Sequence, residues 1–221
     1  MNAPSRDLPI RAWTDHTHVP YYLYTDEAIY RQELERIFYG PFWHAVALEA
    51  ELPQVNDYKT VVVGETPLLV TRTGADEFTV LVNACAHRGV QITTEFKGCA
   101  TDFTCPYHAW AYDNRGNLRN VPGEDRFPED FDKKRYGLRR LRSVLWNQVL
   151  WATFDDATPP IDEFFGEVAD SIRAALGGGD RKLKLLGYQK IVFNCNWKVY
   201  MDNDGYHAGL LHTAFRMLNY Q

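Results

Sequence analysis

The spacing of apolar residues changes period along the chain, and each change marks an element. Ile29, Leu34, Ile37 and Phe38 fall at helical intervals, which predicts a helix with one apolar face, capped at Thr25 and running to about Phe38. Asp26 and Glu27 sit at its positive end, and Gly40 and Pro41 stop it. From Phe42 the period shortens to two. Residues 43–48, 59–63, 68–73 and 78–82 are short β-type runs separated by Pro, Gly, Asn or Asp, the pattern of antiparallel strands. A hairpin is predicted over 111–121 around Arg115-Gly116, a polar surface loop over 122–135, and strands again over 138–144 and 149–154. Beyond Pro159 and Pro160, helical spacing returns with Ile161, Phe164, Phe165, Val168, Ile172 and Leu176, ending at Gly177-Gly178-Gly179. Residues 183–194 read as a further strand, and Asn196-Trp197-Lys198 opens a last helix. The expected organisation is therefore α+β: an arm and helix (1–40), an antiparallel all-β domain (41–157) and the start of a second domain (158–221).

Composition adds limits. With 45% hydrophobic residues among 221, the chain can bury a core. A net charge of −5, with both signs interspersed, argues against nucleic acid or an anionic membrane as partner. The first thirteen residues carry charges and prolines where a secretory signal needs an apolar core, and no apolar run is long enough to span a membrane. A cytoplasmic protein is expected, with Cys99 and Cys195 as reduced thiols, buried or half-buried.

The chemistry is concentrated in two stretches. Cys85-Ala86-His87-Arg88-Gly89 and Cys105-Pro106-Tyr107-His108 hold two of the four cysteines and two of the seven histidines. Each offers one thiolate and one imidazole, and seventeen residues separate His87 from Cys105, enough for the chain to leave one loop and return with the other. Two Cys on one iron and two His on the other are the ligand set of a Rieske [2Fe-2S] centre. A structural zinc takes the same four residues, but its ligands usually pair Cys with Cys and His with His, whereas each half here is mixed.

A second constellation lies in the final segment, where Asp202, Asn203 and Asp204 precede His207 and His212. Asp204 and His207, three apart, share a helix face. The two histidines, five apart, are separated by about 140° on an ideal helix, so both reach one metal only if the helix is locally underwound, as in a π-type bulge. Two histidines and a carboxylate with open positions suit a mononuclear non-haem Fe(II). The plain alternative is a helix bearing two ordinary polar histidines.

Taken together, the motifs resemble the large (α) subunit of Rieske aromatic ring-hydroxylating oxygenases. Those proteins carry a Cys-x-His-Arg-Gly loop and a Cys-Pro-Tyr-His-x-Trp loop, matched here by Arg88, Gly89, Tyr107 and Trp110, with Ala109 in place of the more usual glycine. Val90 and Tyr107 stand where respiratory Rieske proteins add a disulfide pair, which implies an oxygenase-type centre near the low end of the Rieske potential range, about −150 mV. The resemblance extends to Asn196, Trp197, Lys198, Asp202 and Asn203. It implies a cluster held by Cys85, His87, Cys105 and His108. It likewise implies a mononuclear Fe(II) held by His207 and His212, and a catalytic Asp204 that links the Rieske histidine of a neighbouring subunit to that iron. The surrounding phrases look most like members acting on monocyclic aromatic acids.

The implied activity is NAD(P)H-driven hydroxylation of a small aromatic with O2. A reductase, with or without a ferredoxin, would feed a homotrimer or an α3β3 assembly. The second domain would then be the beginning of a helix-grip-like catalytic fold. A monooxygenase or demethylase uses the same two metals, and a pure electron carrier would need only the first motif. The family signature usually has about two more residues between Asn203 and Tyr206, and the third iron ligand comes from further along than Gln221. The chain is accordingly expected to be the N-terminal part of an α subunit, binding a cluster without hydroxylating anything by itself.

Overall fold

The computed structural model describes residues 17–206, with side chains through Asp202. It divides into two compact units, Leu34–Leu186 and the residues up to Glu33 together with those from Gly187 onward. In the second of these, helices α1 (Tyr22–Thr25) and α2 (Glu27–Glu33) are followed much later in the chain by α5 (Trp197–Tyr206). Asp26, not Thr25, caps α2: its Oδ1 accepts the Ala28 and Ile29 amides at 2.8 and 3.2 Å. An aspartate can satisfy two orphan amides of the first turn at once. Residues 183–194, expected as a strand, form none among the described residues. Leu186 and Val192 stand 91% and 82% exposed; no neighbouring strand pairs with this alternating segment.

The Leu34–Leu186 unit is built from ten strands: β1 (His44–Leu48), β2 (Asp57–Val63), β3 (Thr66–Arg72), β4 (Phe78–Val82), β5 (Lys97–Cys99), β6 (Asp102–Thr104), β7 (Ala111–Asp113), β8 (Leu118–Asn120), β9 (Arg140–Trp146) and β10 (Val149–Thr153). Seven make one sheet in the order β1-β10-β9-β4-β3-β2-β5, and β6-β7-β8 make a smaller one. Every pairing is antiparallel. Consecutive residues of a strand face opposite sides. In β3 both sides are covered: Leu68 and Val70 enter a core with Val46, Val80 and Leu150, while Leu69 enters another with Leu81, Tyr112 and Leu138. That is why this run is continuously apolar.

The predicted long helix after Pro160 is two short ones, α3 (Ile161–Phe165) and α4 (Ala169–Ala175). The break falls at Gly166, whose φ of +49° lies in the left-handed region that glycine enters without steric cost. Both helices still direct Ile161, Phe165 and Ala169 onto Trp43, Trp146 and Trp151. The Leu34–Leu186 unit opens with a π-helical turn, Leu34–Phe38. Among the described residues no helix is long and apolar enough to cross a membrane.

Candidate metal centre

The two motif loops are built to one plan. In the first, the Cys85 amide donates to the Val90 carbonyl and the Gly89 amide returns to the Cys85 carbonyl, both at 2.8 Å. In the second, the Cys105 amide donates to Trp110 at 2.8 Å and the Ala109 amide to Cys105 at 3.0 Å. Each loop therefore closes between its cysteine and the residue five later. Such tight closure needs a left-handed residue at the fourth position after the cysteine, and Gly89 (φ +71°) and Ala109 (φ +55°) supply it. A side chain in this region costs about 1–2 kcal/mol. Ala109→Gly is accordingly expected to stabilise the domain by about 0.5–1 kcal/mol, the strain relieved less the greater freedom glycine gives the unfolded chain. An unchanged or lowered melting temperature for that variant would count against the strain.

The plan sorts the four donors by depth. Cys85 and Cys105 are buried, 4% and 3% exposed, and neither is in a disulfide. His87 and His108 are exposed, with ring centres 4.7 Å apart at 71°. Among the described residues, no three His, Cys, Asp or Glu side chains converge on a single ion. One tetrahedral zinc needs its donors around one point; a two-iron cluster takes an inner thiolate pair and an outer imidazole pair. The donor set present fits the cluster.

Neighbours fix the outer pair. His87 stacks on Trp110, centres 4.9 Å apart and planes 10° apart. Trp110 is in turn wedged among Phe127, Phe131 and Tyr136 at 6.4, 6.2 and 5.9 Å. The segment 122–135, expected as a polar surface loop, thus supplies the aromatic backing of the site. His108 lies 3.8 Å from the Tyr107 ring, whose other neighbour is the Arg88 guanidinium at 6.0 Å. Partial desolvation, then the charges of His87 and Arg88, hold the His108 imidazole below its ordinary pKa. That favours the neutral ring a metal requires.

Tyr112 serves the inner pair. It is fully buried, and its hydroxyl lies 3.2 Å from Cys85 Sγ while accepting the Ala86 amide at 3.2 Å. Burial first, and then the hydrogen bond to Cys85, push the Tyr112 hydroxyl well above the ordinary phenol range. A hydroxyl held in its protonated form can donate to the sulfur once Cys85 is a thiolate. Asn83, also fully buried, donates to the Thr93 carbonyl at 2.8 Å and accepts the Ile92 and Thr93 amides at 3.1 and 3.3 Å, so that the chain leaving the first loop is pinned. The sequence reading singled out neither residue. For Tyr112 a signal existed: it lies two residues beyond Trp110, on the same inward face of a strand.

Of the second constellation, Asp204 falls within α5, while its side chain, and His207 and His212 altogether, lie outside the described residues. Asp202, considered above only as part of the signature, accepts a hydrogen bond from the Tyr24 hydroxyl. That bond, with partial burial, raises the Tyr24 pKa above its usual value. Cys99 and Cys195 are exposed, not buried as expected; Cys99 lies on β5, whose residues are all exposed.

Comparison with known proteins agrees with this geometry. The family description "Rieske [2Fe-2S] domain" matches residues 42–140. The large subunit of anthranilate 1,2-dioxygenase from Burkholderia cepacia is 42% identical over 93% of this chain and 50% of its own length. The large oxygenase component of salicylate 5-hydroxylase from Ralstonia sp. is 38% identical over 97% and 55%. A crystal structure of naphthalene 1,2-dioxygenase from Rhodococcus sp. bound to indole superposes with a TM-score of 0.77 at 30% identity, covering 91% of this chain and 47% of that one. The chain spans about half the length of the relatives it matches. The chain thus carries a Rieske [2Fe-2S] domain, and along nearly all of its length it is similar to the large subunits of Rieske ring-hydroxylating oxygenases.

Proposed function

We propose that the chain belongs to the terminal oxygenase of a ring-hydroxylating system, acting on a small aromatic acid such as anthranilate or salicylate. Cys85 and Cys105 would hold one iron of a [2Fe-2S] cluster, and His87 and His108 the other. When bound, the cluster relays single electrons from a NAD(P)H-dependent reductase, directly or through a ferredoxin, to a mononuclear iron where O2 and substrate meet. The depth sorting of the donors carries this reading. The thiols are buried out of reach of water, and the exposed imidazoles would present their side of a bound cluster to an approaching partner.

His207 and His212 are assigned to the mononuclear iron and Asp204 to a bridge between that iron and a neighbouring subunit's cluster. A bridge of this kind requires a closed ring of subunits, most simply a homotrimer or an α3β3 assembly. Residues 158–221 are taken as the start of the catalytic domain and the protein as cytoplasmic. Iron content with the visible spectrum tests the assignment: three irons per chain with Rieske bands support it, two leave a carrier, and none with zinc in its place overturns it.

A second reading has its own support, since a quaternary ammonium Rieske monooxygenase superposes with a TM-score of 0.76 at 30% identity. Turnover under labelled O2 separates the two. Two labelled atoms in one product support dioxygenation, and a single labelled atom supports monooxygenation.

A further inference from the structure

Asn196-Trp197-Lys198 is the part of the second motif that the proposed chemistry leaves without a task. The structure gives each residue one. The Asn196 side chain accepts the Lys198 amide at 3.1 Å and its carbonyl accepts the Val199 amide at 3.1 Å, which caps the first turn of α5. Trp197 Nε1 donates to Glu33 Oε2 at 2.9 Å, and Lys198 Nζ donates to both Glu33 oxygens at 2.7 and 2.8 Å. Glu33 ends α2, 164 residues before Trp197.

The contact is largely withdrawn from water, with the Lys198 and Glu33 side chains 20% and 13% exposed. The Lys198 ammonium also lies 5.9 Å from the centre of the Tyr24 ring and 5.6 Å from that of Trp197. Further along α5, Asp202 takes the Tyr24 hydroxyl. Helix α5 is thus held at its first turn by α2 and again at Asp202 by α1. An ordinary surface ion pair does not look like this: both carboxylate oxygens are used, by two donors from adjacent residues.

We infer that Glu33 is a positioning residue, whose carboxylate sets the axis and rotation of the helix that carries Asp204 and leads into His207 and His212. The inference rests on the reading of those histidines as iron ligands. A helix advances 1.5 Å and turns 100° per residue, so an error fixed at Trp197 is carried through α5 to Tyr206, the residue before His207. Neither Trp197 nor Lys198 needs to touch iron or substrate for the motif to matter. Their role is to key the segment onto the N-terminal helix.

Two measurements on the whole chain test this. Hydrogen exchange of the amides over Trp197–Tyr206 reads the clamp, and anaerobic equilibration with Fe(II) followed by iron analysis reads its purpose. Glu33→Gln keeps an acceptor for Trp197 but leaves the Lys198 charge without its counterpart. It is expected to speed exchange in this helix about tenfold while leaving the β2–β4 amides and the Rieske spectrum unchanged. It should also weaken uptake of the third iron about tenfold. Adding Lys198→Met removes the uncompensated charge, so the double variant should recover most of both losses. Unchanged exchange in Glu33→Gln overturns the clamp. Faster exchange with undiminished third-iron uptake overturns the positioning role and leaves a structural one. In a full-length subunit, where the third iron ligand is present, uptake of two irons only refutes the reading of His207 and His212, and the positioning role with it, whatever exchange shows.

Discussion

Cys85→Ser is expected to abolish the Rieske visible absorption, with less than one cluster in ten retained per chain. The position is 4% exposed and no other cysteine can take its place: Cys105 belongs to the other loop and Cys99 and Cys195 are on the surface. A serine oxygen is a harder and far more basic donor than a thiolate, and the softness of sulfur is what a cluster iron selects. His108→Ala should do the same from the outer side, since the neighbouring imidazole, His87, is itself one of the proposed donors. Cys99→Ser and Cys195→Ser supply the control, and both should keep the wild-type spectrum and iron content. A Cys85→Ser protein with undiminished Rieske bands would remove the assignment of the inner iron.

Tyr112→Phe should retain the cluster but lower its reduction potential by about 40 mV. Reduction adds negative charge to the cluster, and a hydroxyl donating to a ligand sulfur stabilises the reduced form more than the oxidised one. A charge-assisted hydrogen bond is worth about 1.5–3 kcal/mol. If about 1 kcal/mol of that distinguishes the two states, a one-electron couple moves by about 40 mV, since 59 mV corresponds to a tenfold change in equilibrium constant. Phenylalanine fills nearly the same space, so the surrounding core of Leu69, Leu81 and Phe103 should stay packed. Redox titration followed by visible absorption measures the shift. An unchanged potential would mean that the 3.2 Å contact between the hydroxyl and Cys85 is not a hydrogen bond in the holoprotein.

Most of the larger unit was legible in the sequence because its strands bury one or both faces, and burial writes itself as period two or as an unbroken apolar run. β4, Phe78–Val82, fell where the pattern put it, and the hairpin of β7 and β8 was visible from Arg115-Gly116. β5 and β6 were not legible. Each is three residues long and β5 is exposed throughout, so backbone pairing to β2 and β7 forms them without an apolar signature. The segment 183–194 failed in the opposite sense: it alternates like a strand, yet alternation alone cannot create the partner on which a strand depends.

For the site, residue type and spacing by themselves pointed to four candidate donors, their division into two mixed pairs and the kind of cluster they suit, because thiolate and imidazole chemistry belongs to side chains wherever the fold puts them. Only the tertiary structure decided how those donors are held. The shared closure of the two loops depends on left-handed backbone at Gly89 and Ala109, and in an alanine nothing in the sequence announces a positive φ. Which pair lies inside and which outside, the Tyr112 hydroxyl on Cys85, and the Phe127 and Phe131 rings behind Trp110 all come from segments distant in the chain. So does the grip of Glu33 on Trp197 and Lys198 across 164 residues. Pattern along a chain records what each residue requires of its surroundings. Which residue meets that requirement is settled when strands and helices pack, and the partner's sequence position carries no trace of it.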